Sequence, residues 1–327
     1  MEIVCGNVAC KIENLQMINF NVGWHLELTR RCPLACPACN RTTEFDTMVV
    51  DPKRDINVAE LKTFFPKNKI SNIKYIFMQG NLGDPVYHPQ FHDISEHFFD
   101  IENLNVTTNG MQTKTFWTRV LETWPKESSI TLSIDGLQDT NHLYRINSNW
   151  NKIQGLFDLI AKKKHNCEIE WKYIVFEHNH HQVEEAKNLA KKIGINRFRI
   201  QRTRRLDPKL DIKAYDNPQW FKKIDVEYED SLSPFCYTGD MHYITAFGDY
   251  YPCCWFEGRY KDPRWTTLNI KNNTIDSFEK HFRDFTKHLE DFETCPDVCK
   301  KFCRKVKNND KEMQVPNSQL NRSIIEL

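Results

Sequence analysis

The sequence predicts an α/β protein in which strands and helices alternate, and three observations carry this prediction. Segments typical of buried strands recur six times over about 180 residues, with helix-like segments between them. Glycine or a polar residue follows several of these strands, and a cysteine-containing loop follows the first. Such alternation indicates parallel strands joined by right-handed crossovers. Six units are too few for a closed eight-stranded barrel, so we expect an open, partial barrel, although periodicity alone also allows a doubly wound sheet.

The individual elements follow from short apolar runs and from capping residues. Strands are predicted at 24–29, 74–78, 104–108, 129–134, 168–176 and 197–201. Helices are predicted from 57 onward and at 90–99, 114–123, 149–164 and 183–193. Asn57 is a suitable N-cap, and Gly194 is a suitable C-cap for the last of these helices.

The loop after the first strand holds Cys32, Cys36 and Cys39 in the spacing C-x3-C-x2-C. Pro33 and Pro37 favour extended geometry in the residues before them, so the segment is a loop and not a helix. Three thiolates can hold three corners of a [4Fe–4S] cluster and leave one iron open to a molecule with an amine and a carboxylate. A structural zinc site needs four ligands, so zinc with a distant fourth ligand is the alternative.

Composition excludes several classes of protein. The chain has 327 residues, enough for one large or two modest domains. Lys and Arg number 45 against 44 Asp and Glu, so no global field recruits nucleic acid or an anionic membrane. No apolar run is long enough to span a bilayer, and residues 1–13 lack the features of a secretory signal. Twelve cysteines in a chain without that signal favour metal binding over disulfides, and we expect a cytoplasmic protein.

A second group of cysteines lies beyond the predicted strands. Its members are Cys236, Cys253, Cys254, Cys295, Cys299 and Cys303. Residues 247–253 predict a hairpin turn, 265–270 a short strand, and 276–279 the start of a helix. The last three cysteines are four residues apart, a spacing that would align them on one helix face. A structural zinc ribbon is one interpretation, and bound metal would help a region with little core to fold. The remaining cysteines are interpreted as buried or incidental thiols: Cys5, Cys10 and Cys167.

The three-cysteine loop after a first strand resembles the signature of the radical S-adenosylmethionine (SAM) superfamily. Ala38 stands where that family usually has an aromatic residue near the adenine, so the adenine contacts differ here. The resemblance implies a partial (β/α)6 TIM-like barrel over 21–205, after a lead-in at 1–20. It also implies a site-differentiated [4Fe–4S] cluster held by the three cysteines, with SAM bound at the open iron.

Residues at the ends of successive strands are similar to the family's SAM-binding segments. Gly83 and Asp84 resemble the Gly-Gly-Glu-Pro segment that binds the methionine amine, although an isolated Gly-Asp-Pro is also an ordinary turn. The other residues that the resemblance implies for SAM are Asn109, Ser133, Asp135, Arg145 and Gln201. A guanidinium suits a carboxylate, which makes Arg145 a candidate partner of the SAM carboxylate, or else a solvated surface residue. Lys172 points either into the barrel mouth or to solvent.

The second cysteine group resembles the Twitch and SPASM extensions of radical SAM enzymes, with Gly248 and Cys253 in the expected spacing. Six cysteines in place of seven favour the one-cluster Twitch form, so the resemblance implies a small α+β domain over 206–307. Its auxiliary iron–sulfur cluster, expected to be [4Fe–4S], would be held by Cys236, Cys253 and two of Cys295, Cys299 and Cys303. Residues 308–327 are expected to be a polar, disordered tail.

The resemblance implies an oxygen-sensitive enzyme of the oxidoreductase or maturase type. Reductive cleavage of SAM would give a 5′-deoxyadenosyl radical, which abstracts a hydrogen from the substrate. A flavodoxin- or ferredoxin-type donor would supply the electron. The expected substrate is a peptide or protein, and the alternative is a nucleotide, a nucleic acid or a sugar. A non-catalytic iron–sulfur or zinc binding module is the competing class.

Overall fold

A ten-stranded, mostly parallel sheet organises the chain. The computed structural model describes residues 23–43, 53–71, 73–162, 165–203, 212–215, 217, 220–221, 228–232, 242–256, 268–278, 293, 295, 297–306 and 322–327. The strands are β1 Gly23–Leu26, β2 Tyr75–Met78, β3 Asn103–Thr108, β4 Ser129–Ser133, β5 Glu168–Val175, β6 Arg197–Arg202, β7 Tyr228–Leu232, β8 His242–Ile244, β9 Asp249–Tyr251, β10 Leu268–Asn269, β11 Arg304–Val306 and β12 Arg322–Glu326. The helices are α1 Asn40–Thr43, α2 Val58–Phe64, α3 Lys67–Ile70, α4 Phe91–His97, α5 Lys114–Thr123, α6 Asn141–Tyr144, α7 Trp150–Lys162, α8 Val183–Ile193 and α9 Asp297–Phe302. Three short 3-10 helices span Pro85–Tyr87, His180–Gln182 and Ile270–Asn272.

The strand order is β10-β9-β8-β1-β2-β3-β4-β5-β6-β12, and β1 to β6 are parallel neighbours. The two ends of this order do not pair with each other, so the sheet is not closed. The α/β architecture and the open barrel predicted from the alternation are therefore confirmed. A second sheet pairs β7 with β11.

Local sequence determines where the helices begin and end. Asn57 and Thr113 cap α2 and α5 through side-chain oxygens that accept the backbone N–H groups of Glu60 and Phe116. Gly194 ends α8 with φ of 87°, a left-handed conformation that suits glycine. The predicted helices at 114–123 and 183–193 have the same bounds in the structure.

The core lies between the sheet and the helices on one of its faces. Trp24 of β1 packs edge-on against Phe64 at the end of α2, with ring centroids 5.6 Å apart. Trp171 of β5 packs against Phe157 of α7 at 4.9 Å. Residues alternate between faces along a strand, and the opposite face carries many polar side chains, among them Thr131, Lys172 and Arg199.

The hairpin predicted around 247–253 is formed by β8 and β9, and β8 pairs in parallel with β1. The same sheet therefore continues from the barrel into the region proposed as an auxiliary domain. The predicted strand at 265–270 is described only at Leu268–Asn269, since residues 257–267 lie outside the described residues. Residues 1–20, which include Cys5 and Cys10, lie outside the described residues. Cys236 lies outside them as well.

The expectation of a disordered tail over 308–327 is wrong for its last part. Arg322–Glu326 forms β12, which pairs antiparallel with β6 over five residue pairs. The physical reason is that β6 would otherwise expose a row of unpaired backbone groups, and the segment 322–326 contains the strand-favouring pair Ile324 and Ile325.

The three late cysteines do not all lie within one helix, as their spacing had predicted. The helix α9 contains Cys299, whereas Cys295 precedes it and Cys303 follows it. No helix within the described ranges has the length and apolar character needed to cross a membrane.

Candidate active site

The start of the cysteine loop is fixed by Asp55. Its carboxylate accepts hydrogen bonds from the Thr29 hydroxyl at 2.6 Å and from two nitrogens of Arg31 at 2.7 to 3.0 Å. Two backbone hydrogen bonds flank the Thr29–Asp55 contact: Arg30 N donates to Arg54 O, and Ile56 N donates to Leu28 O. This clamp holds the chain in place immediately before Cys32.

The three cysteines lie on a compact loop that leads into α1. Cys36 is buried, whereas Cys32 and Cys39 are partly exposed. The Cys39 amide donates to the Cys36 carbonyl at 3.1 Å, and the Ala35 amide donates to Ile146 O at 3.1 Å. The loop is therefore held both by its own turn and by the segment after α6.

The surroundings of the thiols fit an iron–sulfur cluster. Burial and the nearby Asp84 carboxylate raise the pKa of Cys32 to about 12. Burial also raises the pKa of Cys36, and the guanidinium of Arg145 opposes this shift. An iron–sulfur cluster bound here would have to displace the protons from these thiols. Asn109 Nδ2 lies 3.7 Å from Cys32 Sγ and Arg145 Nη1 lies 3.9 Å from Cys36 Sγ, so donors are turned toward two of the sulfurs.

A single metal ion needs at least three ligand side chains close to one point. Among the described residues, no three His, Cys, Asp or Glu side chains are grouped closely enough for one metal ion. In a [4Fe–4S] cluster each thiolate binds its own iron.

Asp84 lies at the predicted strand end, but its carboxylate is already bonded within the protein. One oxygen accepts from Asn109 N at 2.7 Å and from the Thr108 hydroxyl at 3.1 Å, and the other accepts from Val86 N at 3.3 Å. Burial raises the pKa of Asp84 to about 6, against the effect of these donors. Asp84 therefore joins the loop after β2 to the end of β3, directly behind Cys32.

Gly83 is needed because two backbone segments meet there. A Cβ at this position would lie 1.9 Å from the carbonyl oxygen of Thr29, which is backbone and cannot move aside. The neighbouring Leu82 amide donates to the buried carboxylate of Glu27 at 2.6 Å. The missing side chain of Gly83 therefore allows the start of the cysteine loop to pack against the loop after β2.

Asn109 links the end of β3 to the cysteine loop. Its side-chain oxygen accepts from Met111 N at 2.9 Å, which leaves the Nδ2 group directed at Cys32. Gly110 follows with φ of 78°, as the predicted turn requires.

Ser133, Asp135 and Arg145 come together at the end of β4. Asp135 has no exposed surface, and its carboxylate accepts from Arg145 Nε at 2.6 Å and from Ile174 N at 2.7 Å. Arg145 thus has a carboxylate partner within the chain, and its pairing with the SAM carboxylate stays a prediction. Ser133 is buried, and its hydroxyl has no hydrogen-bond partner in the described part of the chain. That hydroxyl is available for a ligand.

Two further predicted residues lie on neighbouring strands. Gln201 is partly exposed near the end of β6, beside Ile174 of β5. Lys172 of β5 is paired in register with Ser133 on one side and with Arg199 on the other. The side chains of these three residues therefore project to the same face, away from the helices.

Sequence reasoning missed the residues that hold the strand-end loops. Besides Asp55 and Glu27, these include Asn179, whose amide donates to the Asp135 carbonyl at 2.8 Å and to Ile174 O at 2.9 Å. No local spacing distinguishes such residues, because their partners lie on other strands. The one available signal was the presence of charged or amide residues within otherwise apolar runs.

The second cysteine group is described in part. Cys295 and Cys299 are buried, whereas Cys253, Cys254 and Cys303 are partly exposed. The amide of Asn81, in the loop after β2, donates to Cys254 O at 3.1 Å. The end of the hairpin therefore contacts a loop of the candidate active site.

Solved structures with the same fold carry SAM. Streptococcus suis SuiB matches with a TM-score of 0.60 at 13% identity, over 82% of this chain and 67% of SuiB. SuiB bound to SAM matches at 0.57 and 14%, over 78% of this chain and 65% of SuiB. The protein anSMEcpe with bound SAM matches at 0.55 and 16%, over 92% of this chain and 93% of anSMEcpe.

The present chain spans about two thirds of the length of SuiB. No family profile matches it, and no curated protein is similar to it in sequence. SuiB and anSMEcpe are radical SAM enzymes, and at 13 to 16% identity their similarity to this chain is one of fold. The chain has the fold of the radical SAM enzymes, with Cys32, Cys36 and Cys39 on the loop that follows the first strand of its open barrel.

Proposed function

We propose that this chain is a radical SAM enzyme, in which Cys32, Cys36 and Cys39 hold a [4Fe–4S] cluster. The observation that carries the proposal is the loop of three thiols, one buried and two partly exposed, at the carboxyl end of β1, with Asn109 and Arg145 directed at two of the sulfurs. In parallel barrels, chemistry collects at this end of the strands.

When bound, the cluster and SAM would supply one-electron reductive cleavage and a 5′-deoxyadenosyl radical that abstracts a hydrogen from the substrate. The chain's own residues bind and orient. The Ser133 hydroxyl is placed to donate to the carboxylate or ribose of SAM, and the guanidinium of Arg145 is shared between Asp135 and Cys36. Asp84 acts indirectly, because its carboxylate positions Asn109. We assign Gln201 to a contact with the adenosyl group of SAM.

The substrate we propose is a peptide or protein. SuiB has been crystallised with its precursor peptide SuiA, at a TM-score of 0.57 to this chain, and anSMEcpe with the Cp18Cys peptide, at 0.51. The two ends of the barrel sheet do not pair with each other, and we infer that this opening admits a ligand longer than a metabolite.

We assign the second cysteine group to an auxiliary [4Fe–4S] cluster held by Cys236, Cys253 and two of Cys295, Cys299 and Cys303. The burial of Cys295 and Cys299 supports this assignment, as does the contact of Asn81 with the hairpin. The electron donor would be a flavodoxin or a ferredoxin.

The test is anaerobic incubation of the reconstituted protein with SAM and dithionite, followed by chromatographic detection of 5′-deoxyadenosine. The wild type should release it even without substrate, whereas the triple variant C32A/C36A/C39A should release none and lose about four irons. Cys167→Ala is the matched control, because Cys167 lies beside the amino end of β5, away from the loop. A wild type that carries the iron but releases no 5′-deoxyadenosine would be a binding module and not an enzyme.

A further inference from the structure

The face of the sheet opposite the helices carries charged side chains that the proposed SAM site does not use. Glu170 and Lys172 of β5 and Arg199 of β6 project to this face. The Thr131 hydroxyl of β4 contacts Glu170 Oε1 at 3.3 Å, and Arg199 forms an ion pair with the same carboxylate. The group lies one strand away from Ser133, so it adjoins the proposed SAM site.

Lys172 differs from its neighbours because its side-chain ammonium has no hydrogen bond or ion pair in the described part of the chain. Burial, and then the charges of Arg145 and Arg199, lower the pKa of Lys172 to about 7. Burial and the neighbouring positive charges both disfavour the charged form of Lys172, and an anion bound beside the ammonium would offset both effects. Arg199 contributes a second unsatisfied group, since its Nε atom is buried and lacks a partner among the described residues.

The charge of the group matches a single carboxylate. When Lys172 is protonated, two cations, Lys172 and Arg199, face one carboxylate, Glu170, which leaves one positive charge. The pairs nearest to it are already neutral, since Arg145 binds Asp135 and Arg197 binds Glu168. A monoanion would therefore neutralise this part of the face, whereas a phosphate dianion would leave it negative.

We propose that Lys172, together with Arg199, binds a carboxylate of the peptide substrate on the polar face of the sheet beside the SAM site. This inference rests on the proposed function and specifies its substrate as a peptide with an acidic side chain or a free carboxyl end near the reacting carbon. The carboxylate would fix the position of the peptide in the barrel, because a charged hydrogen bond is both short and directional.

The test is isothermal titration of the SAM-saturated holoenzyme with N-acetylglutamate amide, a monoanion, and with N-acetylglutamine amide, its uncharged isostere. The acid should bind and the amide should not. Lys172→Met should weaken binding of the acid at least tenfold, and Lys172→Arg should stay within about threefold of wild type because it keeps the charge. Lys192→Met makes the same change on the exposed face of α8 and should bind as wild type does.

Three results would overturn the inference. The first is equal binding of acid and amide, or of wild type and Lys172→Met. The second is binding of inorganic phosphate in place of the acid, which would assign the group to a phosphate. The third is binding of the acid that is seen only without SAM, which would make Lys172 part of the SAM carboxylate site. Iron content and the thermal unfolding midpoint of each variant check that it is folded. Release of 5′-deoxyadenosine by the same wild-type sample tests the proposed function separately.

Discussion

Asp84 and Asp135 are buried carboxylates that bond to backbone amides at neighbouring strand ends. Each also touches a residue directed at a cysteine, Asn109 in one case and Arg145 in the other. The two carboxylates therefore determine where the donors to Cys32 and Cys36 lie. Their role is to position these donors, in addition to any contact with a ligand.

Replacing Asp84 with Ala should weaken SAM binding by about 1–3 kcal/mol, the typical cost of removing the partner of a charged hydrogen bond. The reason is that the Asn109 amide and the Thr108 hydroxyl lose their acceptor and the turn after β3 shifts. Titration of the reconstituted protein with SAM measures the change. Asp93→Ala is the control, because Asp93 is an exposed residue paired with Lys62. Equal SAM affinity in wild type and Asp84→Ala would contradict this role.

His242 predicts a specific pH dependence of stability. Burial lowers its pKa to about 3 in the folded protein, from about 6.5 in an unfolded chain. Below pH 6.5 the unfolded state binds a proton that the folded state does not. The stability from this residue is therefore complete above pH 6.5 and falls as the pH drops toward 3, by at most about 1.4 kcal/mol per pH unit.

Urea unfolding followed by circular dichroism at pH 7.5, 6.5 and 5.5 measures this effect. His242→Gln should lose less stability than wild type between pH 6.5 and 5.5, by about 1 kcal/mol. The control is the exposed His181→Gln, which should follow wild type. Parallel curves for wild type and His242→Gln would refute the assignment.

At the level of single residues, the sequence predicted which side chains gather at the strand ends but not what they bond to. Asp84, Asn109 and Arg145 are predicted as site residues, and the structure bonds Asp84 to the Asn109 amide and Arg145 to Asp135. Their partners are 10 to 25 residues away along the chain or on adjacent strands, and only the register of the sheet brings them together.

The two loops that follow β1 and β2 form one packed unit, and Gly83 lies at their contact. Leu82 and Asp84 on either side of it are bonded to Glu27 and to the Arg31 carbonyl. The position of the cysteine loop relative to the sheet therefore depends on an element that contains no cysteine.

Gly83→Ala should destabilise the protein by about 1–3 kcal/mol, the usual cost of overpacking, and should lower its iron content. The added methyl would meet the Thr29 carbonyl at 1.9 Å. Gly155→Ala is the matched control, since Gly155 lies in α7 and a Cβ there would meet nothing within 4 Å. That control should stabilise the protein by about 0.5–1 kcal/mol. Urea unfolding midpoints that move in the same direction for both variants would contradict the packing argument.

The elements of the barrel were predictable because each carries its own local signal. The bounds of α5 and α8 agree with prediction, and both have clear caps. By contrast, β8 and β12 were not assigned to the barrel sheet, because pairing between distant segments leaves no periodic trace in the sequence. The polar composition around β12 also concealed it, since an edge strand is defined by its backbone more than by its side chains.

In the whole molecule, the sheet continues from the barrel to the second cysteine group. The domain boundary at residue 205 stays a prediction, and β8, β9 and β10 extend the barrel sheet beyond β1. The loop after β2 reaches the hairpin through Asn81 and Cys254. The two cysteine groups therefore belong to one connected framework.

The protein reconstituted without oxygen should carry about eight irons, four for each [4Fe–4S] cluster. The C32A/C36A/C39A variant and the C236A/C253A variant should each lose about half, because the two groups lie on separate segments. The second variant should also lose solubility, since metal binding contributes to folding. Metal analysis of the purified protein is the measurement. One zinc and four irons per chain would assign the C-terminal cysteines a structural role.

The pairing of β1 with β8 has a consequence for the order of events in folding. The strand that presents the cysteine loop has β2 on one side, and on the other side a strand from far along the chain: Glu27 and Tyr243 bond across 216 residues. Closing so long a loop costs entropy before any contact compensates for it, so β1 remains an edge until late in folding. The strand that completes it follows Cys236 and precedes Cys253. A cluster bound by those two cysteines, as proposed above, would also hold β8 against β1, so its insertion would favour the pairing that completes the sheet beside the first cysteine loop.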